Sequence, residues 1–143
     1  MNSSTTPVAE LDGLVLADVL RAGIYRLFEK TDHINKINVF PVPDGDTGTN
    51  MSMTLSAVLG ALDRQPEPHA GSLLVRAADA ALDGARGNSG AILAQFLLGL
   101  GDGAGHLARV GVNEFVTAVT NGANYARDAM SQPREGTLLT VLR

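Results

Sequence analysis

The chain has 143 residues, of which 45% are hydrophobic and 4% aromatic, with a formal net charge of −4 and no cysteine. This composition is typical of one soluble globular domain, and it excludes an intrinsically disordered chain, a disulfide scaffold and a thiolate metal site. With Lys30 and Lys36 as its only lysines, the chain is not expected to bind nucleic acid. Its longest apolar run, residues 91–100, is far shorter than the ~20 residues that span a bilayer, and its start lacks the pattern of a signal peptide. The sequence therefore predicts a cytoplasmic protein without a transmembrane segment.

The chain is predicted to consist of a frayed tail over residues 1–10 and a domain over residues 11–143. A first helix is predicted from Leu11 to Lys30, because apolar residues recur there at helical spacing. Its buried stripe is predicted to comprise Leu16, Leu20, Gly23 and Leu27, widened by Val19, Ile24 and Phe28. Residues 31–50 are predicted to be a polar connection that becomes a Pro/Gly-rich motif.

Two further helices are predicted on either side of a loop at residues 65–69. The earlier helix starts near Asn50, with Thr47, Thr49 or Asn50 as its candidate cap. Its buried positions are predicted to be Met51, Leu55, Val58 and Leu62. The later helix is predicted to be capped by Ser72 and to bury Leu74, Ala77, Ala81 and Ala85.

The last part of the chain is predicted to be helical as well. A fourth helix runs from about Ser89 to Leu100, and residues 99–111 follow as a flexible loop. Asn113 is predicted to cap a fifth helix, and a sixth begins at Gly136. Because no segment alternates with the period of a strand over more than a few residues, the predicted fold class is all-α.

The most distinctive motif places two carboxylates, Asp44 and Asp46, one residue apart in a glycine-rich loop. Carboxylate oxygens at this spacing suit a hard divalent cation such as Mg²⁺, and glycines let backbone amides approach an anion. A turn with helix-capping aspartates is the alternative interpretation, since Asp-Gly is a common turn pair. A calcium loop is excluded, because its spacing would require glycine in place of Thr49 and glutamate in place of Leu55.

A second glycine-rich motif spans residues 84–90 and also precedes a predicted helix. It is not a P-loop, because no lysine follows the glycines, and it is not a dinucleotide fingerprint, because no strand precedes it. Taken alone, it is equally well explained as a turn between helices, with Arg86 as a solvated charge. Two helix N-termini beside a carboxylate pair would together suit a polyphosphate and its metal. The histidines match no metal-ligand spacing and are predicted to be surface loop residues: His33, His69 and His106.

Three segments in order carry a resemblance to a known family: residues 37–51 (INVFPVPDGDTGTNM), residues 84–93 (GARGNSGAIL) and residues 135–141 (EGTLLTV). From about Leu11 to its end, the chain resembles the nucleotide-binding domain at the N-terminus of bacterial fatty acid kinases. That domain is homologous to the L subunit of dihydroxyacetone kinase. The resemblance implies an antiparallel eight-helix barrel, about six helices of which fall within this chain. It also implies ATP or ADP and two Mg²⁺ ions at the rim.

The resemblance implies roles for individual residues. Asp44 and Asp46 would be the catalytic metal ligands, and Asn38, one position out of register with a further ligand of the family, would be a third. Thr137 and Leu138 would lie near the base or its sugar. The residues that would line the phosphates are Thr47, Gly48, Thr49, Asn50, Gly87, Asn88 and Ser89.

The implied activity is transfer of the γ-phosphoryl group of ATP to the carboxylate of a fatty acid held by a separate fatty-acid-binding protein. One alternative is a dihydroxyacetone-kinase L-type subunit, although Thr47 stands where that subunit has histidine. Another is a non-catalytic nucleotide-binding regulatory module. The family domain runs some tens of residues further, so the resemblance predicts a C-terminally incomplete domain that is inactive alone. Homodimerisation through domains outside this chain stays open.

Overall fold

The structure, a computed structural model, describes residues 10–38 and 45–130. Within these ranges it has no β-strand, and one isolated antiparallel bridge pairs Leu11 with Val110. Its helices are α1 (Gly13–Glu29), α2 (Thr31–Lys36), α3 (Thr47–Arg64), α4 (Ala70–Gly84), α5 (Gly87–Ala104) and α6 (Val112–Asp128). The prediction of an all-α fold is confirmed. No helix in this part of the chain is long and apolar enough to cross a membrane.

The core is built mainly from alanine, leucine and valine side chains. α4 packs against α3 and α5, α5 also packs against α6, and α1 lies across α3 and α4. Several alanines in these contacts are completely buried: Ala70, Ala77, Ala81 and Ala104. Small side chains shorten the distance between helix axes, so glycine and alanine positions decide where two backbones come into contact.

α1 begins later than predicted, because Asp12 caps it. The Asp12 carboxylate accepts a hydrogen bond from the Val15 amide at 3.0 Å. The residues of α1 that are fully buried are Gly13, Leu16, Ala17 and Ile24. The predicted stripe is wrong at Val19 and Gly23, which are exposed, because the helix turns a neighbouring face toward the core.

The polar connection predicted over residues 31–50 contains a helix, α2, which hydrophobic periodicity does not reveal. α2 has six residues and buries none of them fully, so it lacks the apolar stripe that predicts a helix. It packs against α3, where the hydroxyls of Thr31 and Ser52 lie 2.6 Å apart. His33 is exposed as predicted, although it lies in this helix and not in a loop.

α3 and α4 both begin before the predicted residue. α3 starts at Thr47, and its predicted core positions are buried or half-buried: Met51, Leu55, Val58 and Leu62. α4 starts at Ala70 after His69, whose Nδ1 accepts a hydrogen bond from the Ser72 amide at 3.1 Å. The prediction of Ser72 as the cap is therefore wrong. His69 is a half-buried capping residue, because its ring nitrogen takes the place predicted for the Ser72 hydroxyl.

α5 continues to Ala104, so the flexible loop predicted over residues 99–111 is wrong in its first part. Gly99 and Gly101 are buried inside this helix. A Cβ on Gly99 would stand 2.5 Å from the Cα of Gly122 in α6. These glycines therefore permit a close contact between helices, where the sequence suggested flexibility.

Two side-chain hydrogen bonds join α5 to α6 along this contact. The Asn121 Nδ2 donates to the Gly99 carbonyl at 2.8 Å, and the Tyr125 hydroxyl donates to the Asp102 carboxylate at 2.6 Å. The bond to Asp102 raises the pKa of Tyr125 above its ordinary value. The neutral phenol is thus the form that holds the two helices together.

α6 begins at Val112, and its N-cap is Gly111 instead of the predicted Asn113. The Glu114 carboxylate accepts a hydrogen bond from the Gly111 amide at 3.0 Å, which satisfies one of the donors that a helix start leaves unpaired. The further helix predicted from Gly136 lies outside the described residues.

Candidate functional site

The first turn of α3 is capped by two asparagines that precede it in the chain. Asn38 Oδ1 accepts hydrogen bonds from the amides of Asp46 and Thr47, both at 3.0 Å. Asn35 in α2 accepts from the Thr49 amide through Oδ1 at 3.0 Å and donates to the Thr49 hydroxyl through Nδ2 at 2.9 Å. These side chains therefore occupy amides that a helix N-terminus would otherwise offer to an anion.

Asp46 occupies the N-cap position of α3, yet its carboxylate does not cap the helix. The residue is exposed, and its carboxylate pairs with none of the described residues. Its backbone stays tied to the helix, because the Asn50 amide donates to the Asp46 carbonyl at 2.9 Å. Asn38 thus caps the start of α3 in place of the Asp46 carboxylate.

The second glycine-rich motif lies directly against the first. Gly87 has a φ of 66°, in the left-handed region that favours glycine. It packs on Asn50 so closely that a Cβ on Gly87 would collide with the Asn50 amide nitrogen and lie 2.9 Å from its Cγ. Two motifs separated by the whole of α4 thus meet at the first turns of α3 and α5.

The N-terminus of α5 differs from that of α3, because the Arg86 side chain does not cap it and no described side chain accepts from the amides of its first three residues. Gly87 and Asn88 are exposed, and Ser89 is half-buried. The amides of these residues belong to the first turn, where a helix leaves its donors unpaired and carries partial positive charge. Of the two helix starts, that of α5 is therefore better placed to receive an anion.

Gly48 has a packing role in addition to the one predicted for it. It is buried beneath α2, where a Cβ would collide with the Thr31 carbonyl and approach the Asn35 Oδ1 to 2.9 Å. Of the other predicted site residues, Thr47 is half-buried and Thr49 exposed. Three lie outside the described residues: Asp44, Thr137 and Leu138.

The described residues contain no group of three or more His, Asp or Glu side chains that could hold a metal ion. Asp46 supplies one carboxylate that no described residue engages, and its predicted companion Asp44 lies outside the described residues. The role of Asn38 as a metal ligand stays a prediction. The Asn38 Oδ1 already accepts two amide hydrogen bonds, which use both lone pairs, so ligating a cation would disrupt the cap of α3.

Two polar residues that shape this site were not predicted from the sequence. Asn35 lies in the short helix that has no apolar stripe. Thr54 is completely buried between the core positions Met51 and Val58 of α3. A threonine among the core positions of an amphipathic helix is visible in the sequence. Because a buried hydroxyl needs a hydrogen-bond partner, its position there is a signal of a contact with another element.

Asn38→Ala is expected to lower the free energy of unfolding by about 1 kcal/mol in metal-free buffer, because two donors of α3 lose their cap. Asn38→Asp should keep most of the stability, since a carboxylate accepts the same bonds and suits a helix N-terminus. Urea denaturation in EDTA measures both. A residue that serves only as a metal ligand would leave the stability of the metal-free Asn38→Ala protein unchanged.

Comparison with known proteins places these motifs in a family. The DAK2 domain matches residues 41–143. Protein YloV of Bacillus subtilis and an uncharacterized protein of Staphylococcus saprophyticus are each 35% identical over 136 residues, and an uncharacterized protein of Staphylococcus epidermidis is 34% identical over 136 residues. Each alignment covers 95% of this chain and 25% of the relative, so the chain spans about a quarter of the relatives' length. The chain belongs to the DAK2 domain family, the nucleotide-binding module of dihydroxyacetone-kinase-like proteins.

Proposed function

We propose that this chain is the ATP–Mg²⁺-binding domain of a phosphotransferase that phosphorylates the carboxylate of a protein-bound fatty acid. The observation that carries the proposal is the contact between Gly87 and Asn50, which brings the two glycine-rich motifs together. Gly87 is the first residue of α5, and Asn50 lies in the first turn of α3, whose N-cap residue Asp46 has a carboxylate that no described residue engages. A polyphosphate with its counter-ion needs these two kinds of group near each other.

In this proposal the phosphates bind mainly at the start of α5. The amides of Gly87, Asn88 and Ser89 donate to phosphate oxygens, while the start of α3, already capped by Asn35 and Asn38, holds the loop that carries Asp46. Fixed amide donors stabilise charge without reorganising during the reaction.

Asp46 and Asp44 would hold Mg²⁺, which when bound supplies positive charge beside the β- and γ-phosphate oxygens. The exposed, non-capping carboxylate of Asp46 fits this role. The donor set is one of carboxylate oxygens, the kind of ligand that Mg²⁺ prefers.

The acceptor chemistry needs no general base from this domain. A fatty acid carboxylate is ionised at neutral pH, so its oxygen attacks the γ-phosphorus directly, the bond from phosphorus to the β,γ-bridging oxygen breaks, and acyl phosphate and ADP form. The choice of a fatty acid over dihydroxyacetone is supported by the resemblance and by Thr47, which stands at the position of the L-subunit histidine.

Nucleotide binding and turnover test the proposal. Calorimetry of the 143-residue chain is expected to detect ATP binding in Mg²⁺ buffer and much weaker binding in EDTA. ADP release is then measured with a fatty-acid-loaded binding protein, with dihydroxyacetone, or with neither. Stimulation by the loaded protein supports fatty acid phosphorylation, whereas stimulation by dihydroxyacetone favours the L-type alternative. Binding without turnover under any condition fits both a regulatory module and the predicted inactivity of the domain alone, and absence of nucleotide binding contradicts all three.

Gly87→Val is expected to weaken ATP binding by more than ~1 kcal/mol, because the side chain blocks the backbone from the phosphates. The positive φ of Gly87 and its contact with Asn50 leave no room for a branched side chain. Gly23→Val is the control, since Gly23 is exposed on α1 and a Cβ there would have nothing within 4 Å. Calorimetry at a temperature where both variants are folded makes the comparison, and equal affinity for the two would exclude Gly87 from the phosphate site.

A further inference from the structure

We infer that Thr54 is a positioning residue that fixes the two nucleotide motifs relative to each other. The inference rests on the proposed function, because it assigns Thr54 a role in the same site. Thr54 lies one turn into α3 from Asn50 and is completely buried. It does not face solvent and would not contact the nucleotide, so its effect on binding must pass through the backbone of its neighbours.

The Thr54 hydroxyl makes one hydrogen bond to each motif. It donates to the carbonyl of Asn50, which belongs to the first motif, at 2.9 Å. It accepts from the amide of Arg86, the N-cap residue of α5, at 3.1 Å. One side-chain oxygen thus links the backbone of the first turn of α3 to the N-cap residue of α5.

Gly90 explains how α5 comes close enough for this link. A Cβ on Gly90 would collide with the Thr54 Oγ1, so only glycine allows the first turn of α5 to lie over the hydroxyl. The Gly90 amide in turn donates to the Arg86 carbonyl at 3.1 Å. A displacement of Arg86 would therefore be passed to the amides of the first turn of α5.

The bond from Thr54 to Asn50 is by itself ordinary. Threonine and serine in helices often donate to the carbonyl four residues earlier, as Ser56 does to Ser52 and Thr120 does to Val116, both at 2.9 Å. Thr54 differs from these exposed residues in being buried and in accepting a second bond from another helix. A buried hydroxyl that satisfies a donor on another helix leaves that donor unpaired when it is removed.

The test compares Thr54→Val, which removes the hydroxyl at nearly constant volume, with Thr54→Ser, which keeps it. Thr54→Val is expected to weaken Mg²⁺–ATP binding about tenfold and to speed amide exchange at Arg86 by a similar factor. Thr54→Ser is expected to restore both to near the values of the unchanged chain. Calorimetry and hydrogen exchange are measured well below the unfolding temperature of every variant.

Two controls separate positioning from general destabilisation. Thr120→Val makes the same substitution at a hydroxyl whose one bond to the described residues lies within α6, and it should leave ATP affinity unchanged. Val58→Ala removes a buried side chain of α3 without touching the link, so it should lower stability and leave affinity unchanged.

Each outcome decides between the assignments. If Thr54→Val binds Mg²⁺–ATP as tightly as the unchanged chain, the positioning role is wrong and the proposed function stands. If Val58→Ala weakens binding as much as Thr54→Val, the effect is loss of stability and the inference is again overturned. If the unchanged chain binds no nucleotide, the proposed function fails, and the role of Thr54 in binding fails with it.

Discussion

Asp46→Ala is expected to abolish Mg²⁺-dependent ATP binding while leaving the helical content of the chain unchanged. The carboxylate is exposed and does not cap α3, so its removal costs the fold little. The Asp46 amide and carbonyl keep their bonds to Asn38 and Asn50, because only the backbone of Asp46 takes part in them. We expect an affinity loss of at least about 100-fold. Removing a residue that only supports a metal ligand already costs up to about 100-fold, and Asp46 is proposed to bind the metal directly.

Asp12→Ala is the matched control, since Asp12 occupies the same N-cap position at the start of α1. Its carboxylate does cap the helix, accepting from the Val15 amide at 3.0 Å. This variant should lose about 1 kcal/mol of stability and bind ATP normally. Asp46→Ala should therefore lose ATP binding and keep its stability, whereas Asp12→Ala should lose stability and keep ATP binding. Unchanged ATP affinity of Asp46→Ala in Mg²⁺ buffer, measured by calorimetry, would remove Asp46 from the site.

Much of the helical fold can be predicted from the spacing of apolar residues. Met51, Val58 and Leu62 are buried on α3, as their periodicity predicts. Periodicity works where a helix presents one broad apolar face to the core. It fails for α2, whose six residues include none that is fully buried. Hydrogen bonds of Thr31 and Asn35 join that helix to α3, and such polar contacts have no periodic signature.

Glycine is ambiguous at the level of sequence, which explains the largest error in the predicted fold. Residues 99–111 are rich in glycine and are predicted to be a flexible loop, yet Gly99 and Gly101 are buried in α5. Glycine gives a chain flexibility, and it also lets two helices approach when another helix covers it. The choice depends on whether a partner backbone lies opposite, which only the tertiary structure specifies.

The glycine-rich motifs of the candidate site could be predicted from local sequence patterns, but the contacts between them could not. The sequence contains both glycine-rich motifs, but it does not say that Gly87 packs on Asn50. The capping of α3 by Asn38 connects residues across the Pro/Gly-rich loop, and the Thr54 link reaches α5 across α4. Such contacts follow from how the helices pack, so a pattern of neighbouring residues cannot predict them.

Gly99→Ala is expected to lower the free energy of unfolding by about 1–3 kcal/mol, although alanine is the better helix former. A Cβ on Gly99 would stand 2.5 Å from the Gly122 Cα and 2.7 Å from the Asn121 carbonyl oxygen. Both atoms belong to the backbone of α6, which cannot turn aside as a flexible side chain can. α5 and α6 would have to separate, and the hydrogen bond from Asn121 to the Gly99 carbonyl would lengthen with them.

Gly60→Ala makes the same substitution where the opposite result is expected. Gly60 is exposed in the interior of α3, and a Cβ there would have nothing within 4 Å. Alanine should therefore raise the free energy of unfolding by about 0.5–1 kcal/mol through its lower backbone entropy in the unfolded chain. Urea denaturation of the two variants gives the sign of each change. If Gly99→Ala were as stabilising as Gly60→Ala, α5 and α6 could not meet at Gly99 and Gly122, and the close packing of these helices would be wrong.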